Sequence, residues 1–283
     1  MDNEDYKIVV ASSDQVKWVI KMADSESWNP GCKDATTFHQ ADPTGFFIGL
    51  LNDQPIACIS AVKYEEFAFI GYYIVEKEYR GKGYGLKLFQ HAMNTVKDYK
   101  KIGLDAVLQQ VSNYQKFGFQ TVHRNMRYIG PIGKLESPCD NIVEAKSVAF
   151  DKMVEYDRHF SPGLRKYFLA SLMNTGTDRS LVYLDNDKAI QGYGTIRKAV
   201  LGYRIGPLYA ENTDIAETLV RALVETFQDC KILLDVPMEN EMGIKLVEKL
   251  QLEPIFETVR MYTDGTFAYD VNKVFAITCL ELG

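Results

Sequence analysis

Apolar and polar residues follow one another in the first part of the chain in blocks that predict a definite order of elements. Short apolar runs bounded by turn residues predict strands, and apolar residues three or four positions apart predict helices. The order is a strand, two helices, three strands, a glycine-rich turn, a helix, a strand, a short helix and a strand. It predicts an α/β (α+β) sandwich around a mixed sheet. The predicted strands cover residues 7–11, 46–51, 56–62, 67–75, 104–108 and 119–129.

The second part of the chain repeats this order. A strand at 142–145 precedes two helices, a hairpin, a strand, a helix, a strand, a helix and a final strand. Glycine and proline between the two parts, in Gly130-Pro131-Ile132-Gly133 and Ser137-Pro138, are typical of a linker. We therefore expect one domain over residues 1–130, a linker over 131–140 and a second domain over 141–283, each a mixed twisted sheet flanked by helices.

Two helix starts are predicted from local signals. Asp14 precedes the apolar positions of the first helix and is predicted to cap it. Ser161-Pro162 is predicted to begin a helix of the second domain that continues to Leu172.

Composition narrows the class of protein. The 283 residues are 46% apolar and 25% charged, which is ordinary for a globular protein, and the net charge of −6 gives no reason to expect nucleic acid or an anionic membrane as partner. The acidic N-terminal residues lack a signal-peptide pattern, and no apolar run approaches the ~20 residues needed to span a bilayer. We expect a cytoplasmic protein, and the sequence gives no signal for its oligomeric state.

Cysteine and histidine are too scattered to predict a disulfide framework or a metal site. The five cysteines are odd in number and form no C-x-x-C, and the four histidines form no H-E-x-x-H. We therefore expect reduced thiols and no metal. The cysteines are Cys32, Cys58, Cys139, Cys230 and Cys279.

The strongest chemical signal follows the predicted strand at 67–75. A charged turn leads into Arg80-Gly81-Lys82-Gly83-Tyr84-Gly85, and a helical pattern starts at once with Leu86 and Phe89. Glycines let a backbone approach a ligand closely, and the first amides of a helix favour an anion. These residues therefore favour binding of a ligand that carries phosphate. Neither the nucleotide P-loop string nor the dinucleotide fingerprint G-x-G-x-x-G occurs here.

The spacing of this turn matches [QR]-x-x-G-x-[GA], with Arg80, Gly83 and Gly85 at the fixed positions. It resembles the acetyl-CoA pyrophosphate loop of the GCN5-related N-acetyltransferases (GNAT), and the resemblance covers roughly residues 5–130. A glycine-rich turn without a ligand is the alternative. The resemblance implies that the segment Arg80, Gly81, Lys82, Gly83, Tyr84 and Gly85 binds the pyrophosphate of acetyl-CoA. It also implies that the pantetheine lies along the strand end at Ile74 and Val75, beside a cleft between this strand and the one near 104–108.

The same resemblance suggests how the acetyl group is transferred. In this family a tyrosine before a K-x-G-F string often protonates the thiolate, and Tyr114 stands at that place. Its ordinary pKa of about 10 keeps it protonated at neutral pH. A packing tyrosine is the alternative. Asn113 is the expected hydrogen-bond partner of the pantetheine, and an amide near Val75 is the expected oxyanion donor.

The sequence does not identify the general base or the acceptor site. Some relatives carry a glutamate on the central strand where this chain has Phe69. The remaining candidates for a base, acting directly or through water, are Glu65, Glu66, Tyr72 and Asp34. For each of them, an ordinary surface or turn residue is the alternative. Trp28 and Tyr72 are the candidate substrate contacts, with a tryptophan at the edge of the core as the alternative reading of Trp28.

The second part resembles the C-terminal acetyltransferase-like domain of tandem bacterial and nematode acetyltransferases. The strings that carry this resemblance are RIGPLYA at 204–210, DVPxxN at 235–240 and RMY at 260–262. Its counterpart of the glycine turn, Glu211-Asn212-Thr213-Asp214, has no glycine and two acids, which would repel a pyrophosphate. We expect this domain to lack coenzyme and either to be structural or to shape the substrate site.

Together these observations predict an N-acetyltransferase that moves an acetyl group directly from acetyl-CoA to the amine of a small molecule. A non-catalytic acyl-CoA-binding sensor is one alternative, favoured by the missing strand glutamate and opposed by Tyr114. A protein lysine acetyltransferase or interaction module, with the second domain docking a partner, is the other.

Overall fold

The computed structural model describes residues 5–132, 141–227, 230–264 and 268–283. Thirteen strands of these residues form one mixed, twisted sheet, with helices on both faces. The strands are β1 (Tyr6–Val10), β2 (Phe46–Leu51), β3 (Gln54–Lys63), β4 (Phe67–Val75), β5 (Lys101–Val107), β6 (Gln120–Ile132), β7 (Ile142–Glu144), β8 (Arg179–Leu184), β9 (Ile190–Lys198), β10 (Tyr203–Ala210), β11 (Cys230–Pro237), β12 (Glu253–Tyr262) and β13 (Val274–Ala276).

Eight α-helices occur in the described ranges, and none of them is long and apolar enough to cross a lipid bilayer. They are α1 (Ser13–Ser25), α2 (Asp34–Ala41), α3 (Tyr84–Thr95), α4 (Val111–Gln115), α5 (Phe150–Arg158), α6 (Lys166–Ser171), α7 (Thr213–Val224) and α8 (Glu241–Lys249).

The first half is a sheet covered on both faces. β1 to β4 pair antiparallel in sequence order, and β5 joins β4 in parallel. Side chains alternate between the faces, so that Phe46 packs with α1 and α2 while Phe47 packs with α3. A two-residue turn joins β2 to β3 with positive φ at Asn52 (49°) and Asp53 (62°), the conformation that a tight hairpin requires.

The second half repeats this plan. β7 to β10 pair antiparallel in order, and β11 joins β10 in parallel. α5 and α6 pack on one face, and α7 and α8 pack on the other. The predicted pair of mixed, twisted sheets flanked by helices is therefore confirmed.

The two halves join because each supplies a strand to the other. β12 of the second half lies between β5 and β6, and β6 of the first half lies between β12 and β11. These contacts make the two sheets continuous, which the sequence did not predict. β6 extends to Ile132 and so includes the first two residues of the predicted linker; residues 133–140 of that linker lie outside the described residues. The domain limits stay a prediction.

The structure corrects both predicted helix starts and adds one strand. Ser12 caps α1, with its hydroxyl accepting from the Gln15 amide, so the prediction of Asp14 as the cap was wrong. The helix predicted from Ser161 begins at Lys166. The short strand β13, which pairs antiparallel with β10, was not predicted.

Candidate active site

The glycine-rich turn between β4 and α3 leaves backbone amides open to a ligand. Gly81 and Gly83 have positive φ (75° and 90°), and apart from the glycine and its chain neighbours no described residue comes within 4 Å of a Cβ built at either position. Gly83 precedes α3, and within the described residues no side chain caps this helix and no acid lies in its first turn. The amides of Gly85 and Leu86 have no hydrogen-bond partner among those residues. A helix start of this kind favours an anion.

Close packing holds the turn in place. A Cβ at Gly85 would lie 2.7 Å from the Tyr73 hydroxyl and 2.9 Å from Val75 Cγ2, so glycine allows α3 to start directly against β4. Tyr84 is buried and packs on Tyr6, with ring centroids 4.9 Å apart. Lys82 is exposed, with its ammonium 5.4 Å from the centroid of the Tyr79 ring. Tyr84 therefore supports the turn, and Lys82 adds positive charge outside it.

Arg80 ties the turn to the end of α1. Its Nε donates to the carbonyl of Val75 at 2.7 Å, and its Nη2 lies 2.7 Å from a carboxylate oxygen of Glu26. The guanidinium is partly exposed. These two contacts fix the distance between Val75 at the end of β4 and Glu26 directly after α1, and both residues line the cavity described next.

A cleft opens where the two parallel strands of the first half separate. The pairing of β4 with β5 ends at Ile70 and Leu104, although both strands continue. β4 also carries a bulge opposite β3, and Tyr72 within it adopts a positive φ of 47°. Bulges of this kind redirect side chains and are common next to active sites. The separation leaves a cavity of about 500 Å³ that extends to the glycine-rich turn.

Most of the predicted site residues line this cavity. They are Trp28, Tyr72, Ile74, Val75, Arg80, Gly81, Gly83, Gly85 and Tyr114. Lys82 and Tyr84 do not line it. Asn113 lines a smaller neighbouring pocket, which it shares with Tyr114. Its amide nitrogen donates to Gln110 at 2.8 Å, and its oxygen accepts from Lys116 at 3.2 Å, so this side chain is engaged by its own helical turn.

Tyr114 combines a packed ring with an available hydroxyl. The ring packs against Phe89 and Phe119, at centroid distances of 5.7 Å and 6.1 Å. Burial, with a smaller contribution from Tyr73, raises the pKa of Tyr114 above its ordinary value. The hydroxyl is therefore protonated at neutral pH, as a proton donor must be.

Tyr72 and Trp28 also line the cavity. Tyr72 is 1% exposed, and its hydroxyl has no partner among the described residues. Burial raises the pKa of Tyr72 well above its ordinary value, and the charge of Glu281 adds to this effect. A neutral tyrosine with this environment is a hydrogen-bonding group and not a base. The carbonyl of Trp28 accepts from Arg127 Nη1 at 2.7 Å, which anchors the tryptophan at the cavity wall.

The other suggested bases lie away from the cavity. Glu65 pairs with Lys166 at 2.6 Å on the surface, and Glu66 is exposed, 3.9 Å from Arg158. Asp34 is buried and accepts from the Gly31 amide at 2.7 Å. Burial raises the pKa of Asp34, against the opposing effect of Arg197. None of the three carboxylates lines the cavity that the described residues form.

Sequence reasoning missed a wall of the cavity that comes largely from the second half. Phe256 and Thr258 reach it from β12, and Leu280 and Glu281 reach it from the segment after β13. Asp105 of β5 also lines it, and Arg260 of β12 binds both oxygens of Asp105, at 2.9 Å and 2.7 Å. An acidic residue inside or directly after an apolar run, as in KIGLDAV and VFAITCLE, was the available signal.

A buried charge cluster behind this wall fixes the two halves together. Asp235 of β11 accepts two hydrogen bonds from Arg127 of β6, at 2.6 Å and 2.9 Å, and one from Arg204 of β10 at 2.7 Å. Burial alone would raise the pKa of Asp235, but the two guanidiniums hold it well below its usual range. The carboxylate therefore stays ionised, and it connects the exchanged strand β6 to the second half.

The profile described as "Acetyltransferase (GNAT) family" matches residues 13–119, and that described as "Acetyltransferase (GNAT) domain" matches residues 153–276. The chain is 32% identical over 275 residues to the holothin acyltransferase of Pseudoalteromonas sp. (strain SANK 73390), covering 96% of this chain and 93% of that protein.

The chain belongs to the GNAT acetyltransferase family. Both halves match it, so the predicted tandem arrangement is confirmed. A Pyrococcus horikoshii protein assigned to the acetyltransferases has the same fold, with a TM-score of 0.82 at 21% identity over 98% of this chain and 96% of that one. A tandem GNAT protein from the clavulanic acid biosynthesis pathway has a TM-score of 0.61 at 12% identity, over 93% and 100% of the two chains.

Proposed function

We propose that this GNAT protein is an N-acetyltransferase that moves an acetyl group from acetyl-CoA directly to the amine of a small molecule. The observation that carries the proposal is a single cavity that extends from the open glycine turn to Tyr114 and to the separation of β4 from β5. Coenzyme, leaving-group acid and acceptor therefore have one shared space. We place the reaction in the cytoplasm as part of the same proposal.

The residues of the turn fit the phosphates of acetyl-CoA. The amides of Gly85 and Leu86 would hold the pyrophosphate at the start of α3, with Arg80 and Lys82 adding positive charge nearby. Gly81 and Gly83 leave open the space that a Cβ and its substituents would fill. The backbone of Ile74 and Val75 would bind the pantetheine as a neighbouring strand would.

Two groups of the first half would serve the transfer itself. An amide near Val75 would stabilise the oxyanion that forms on the thioester carbonyl. Tyr114 would donate its hydroxyl proton to the departing sulfur, and its raised pKa keeps that proton available.

The size and walls of the cavity favour a small acceptor. About 500 Å³ is within the usual range of small-molecule sites, and Trp28, Phe256 and Leu280 form its apolar walls. One relative is named for acyl transfer to holothin, which makes holothin the first acceptor to assay.

The proposal is tested by incubating the full chain with acetyl-CoA and a panel of acceptors. The panel contains holothin, simple primary amines and a lysine-containing peptide, and mass spectrometry follows both CoA release and the acetylated product. We expect an acetylated small amine. Binding of acetyl-CoA with no transfer to any acceptor would favour the sensor, and transfer to the peptide alone would favour a protein acetyltransferase.

A further inference from the structure

The segment of residues 277–283 leads from the second half into the cavity of the first. The amide of Ile277 donates to the carbonyl of Asp235 at 2.9 Å. The Leu282 carbonyl then accepts from the Tyr64 hydroxyl at 2.8 Å, and Arg165 donates to the main-chain oxygen of Gly283. Anchors at both ends fix the residues between them.

Glu281 lies in this segment directly against the central strand. A Cβ built at Gly71 of β4 would lie 2.0 Å from the main-chain oxygen of Glu281, so the two backbones meet where β4 separates from β5. The Glu281 side chain is 3% exposed and lines the cavity. It therefore reaches the site at the end opposite the glycine turn.

One oxygen of the Glu281 carboxylate is buried without a hydrogen-bond partner in the described part of the chain. Oε1 lies 3.4 Å from Arg204 Nη1, a weak contact, because Arg204 binds Asp235 more closely at 2.7 Å. Oε2 has no partner among the described residues. A buried carboxylate oxygen without a hydrogen bond is costly, so an oxygen held in this state next to a cavity points to a ligand that donates to it.

The other acids of the cavity are already engaged. Arg260 binds both oxygens of Asp105, and Arg80 binds Glu26. Within the described part of the chain, Glu281 is thus the acidic side chain of this cavity that keeps a buried, unpartnered oxygen.

We propose that Glu281 binds the amine of the acceptor and takes its proton during transfer, an inference that rests on the proposed function. The bound ammonium first releases one proton through Glu281 to solvent. The neutral nitrogen then forms a bond to the thioester carbonyl carbon, and its second proton passes to the Glu281 carboxylate. The carbon–sulfur bond breaks with its electron pair left on sulfur, which receives the Tyr114 proton. Solvent returns the proton from Glu281 to Tyr114, so that an amide and free CoA are the products.

The same site indicates the class of acceptor. One free carboxylate oxygen matches one cationic amine, and Trp28, Phe256 and Leu280 add apolar surface to a lining that also contains polar residues. We therefore expect an amine whose body has an apolar part that can contact these three side chains.

Two coenzyme derivatives test the inference without knowledge of the acceptor. S-(2-aminoethyl)-CoA places an ammonium two carbons from sulfur, near the position of an attacking nitrogen, and S-propyl-CoA replaces that ammonium by a methyl group of similar size. Calorimetry measures the affinity of the full chain for each. We expect the parent to prefer the ammonium probe by about 10- to 100-fold, as for a hydrogen bond to a buried charge.

Variants assign the preference to Glu281. Glu281→Gln should bind S-propyl-CoA within about twofold of the parent, which also reports its folding, and lose the preference. Glu281→Asp, which keeps the carboxylate, should retain part of it, and the surface control Glu65→Gln should retain all of it. A parent that binds both probes equally, or a Glu281→Gln variant that keeps the preference, would overturn the inference and leave the proposed coenzyme site standing. A parent that binds neither probe would overturn both.

Discussion

The two halves of the molecule differ at the point where their two parallel strands stop pairing. β4 and β5 stop pairing at Ile70 and Leu104, and β10 and β11 stop at Ile205 and Leu234. In the first half the separated strands border a cavity of about 500 Å³. In the second half β13 and Ile277 directly after it fill the corresponding space, because β13 pairs with β10 and a Cβ at Gly206 would lie 2.4 Å from the Ile277 carbonyl.

The helices that begin beside these two points also differ, since one has open backbone amides at its start and the other is capped. α3 begins after Gly83 with open amides, whereas α7 begins after Asn212, whose side chain accepts from the Ile215 amide at 3.0 Å. Asp214 adds a negative charge in the first turn of α7. In our account, the fold alone does not make a coenzyme site, because both the cleft and the helix start must stay open.

The second half nevertheless contributes to the first cavity. β12 supplies Phe256 and Thr258, and the segment after β13 supplies Leu280 and Glu281. In our account the half that lost its own cleft shapes the acceptor end of the other, and the substitutions below probe that division.

The largest effect is expected for Gly83→Asp. The new carboxylate would occupy the open space at the start of α3 and repel the pyrophosphate, so acetyl-CoA binding measured by calorimetry should fall by about 1,000-fold or more, equal to several kcal/mol. The matched change in the second half, Asn212→Asp, should leave binding unchanged. A folded Gly83→Asp variant with parental affinity would place the coenzyme elsewhere.

Tyr114→Phe should lower kcat and kcat/KM together by about 10²–10⁴-fold, because a general acid acts in the transition state, while acetyl-CoA affinity stays close to that of the parent. The raised pKa of Tyr114 keeps the hydroxyl protonated, so the ratio of parent to variant kcat should stay constant from pH 7 to about 10. Tyr73→Phe, which removes another hydroxyl of the same cavity, is the control. A kcat within about twofold of the parent would make Tyr114 a packing residue.

Alanine substitutions at two equivalent glycines separate the contribution of residues 277–283 to stability from their role in placing Glu281. Both Gly71→Ala and Gly206→Ala create a clash with this segment, so each should lower the free energy of unfolding by about 1–3 kcal/mol, measured by chemical denaturation. Only Gly71→Ala displaces Glu281 directly, and it alone should reduce the preference for S-(2-aminoethyl)-CoA over S-propyl-CoA. Equal preferences in the two variants would argue against this division.

The smallest effect is expected for Asn212→Ala. Loss of the side-chain cap should destabilise the protein by about 1 kcal/mol in denaturant unfolding, and acetyl-CoA affinity should not change. A weaker affinity in this variant would show that the second helix start takes part in coenzyme binding.

Features that depend on local signals were predictable from the sequence. β4 was predicted at 67–75 and lies at Phe67–Val75, because a buried apolar run ends in a charged turn. The glycine spacing identified the turn, since positive φ and close packing both require glycine there. The cap of α1 was misjudged because Ser12 and Asp14 are both good capping residues, and only the hydrogen bond to Gln15 distinguishes them.

Features that depend on contacts between distant segments were not predictable. The periodicity of β5 and β12 shows that each is a strand, but it does not show that Asp105 pairs with Arg260 across the two halves. Glu281 was missed for the same reason. Its position after an apolar run marks it as unusual, while the cavity that it reaches depends on the path of residues 277–283 over the second half.

The claim that one cleft is open to coenzyme and the other is closed is tested most directly by the binding stoichiometry. Calorimetric titration of the full chain with acetyl-CoA, without acceptor, counts the sites. Our account predicts one site per chain, which disappears in Gly83→Asp and persists in Asn212→Asp. Two equivalent sites per chain, or a single site that survives Gly83→Asp, would contradict it.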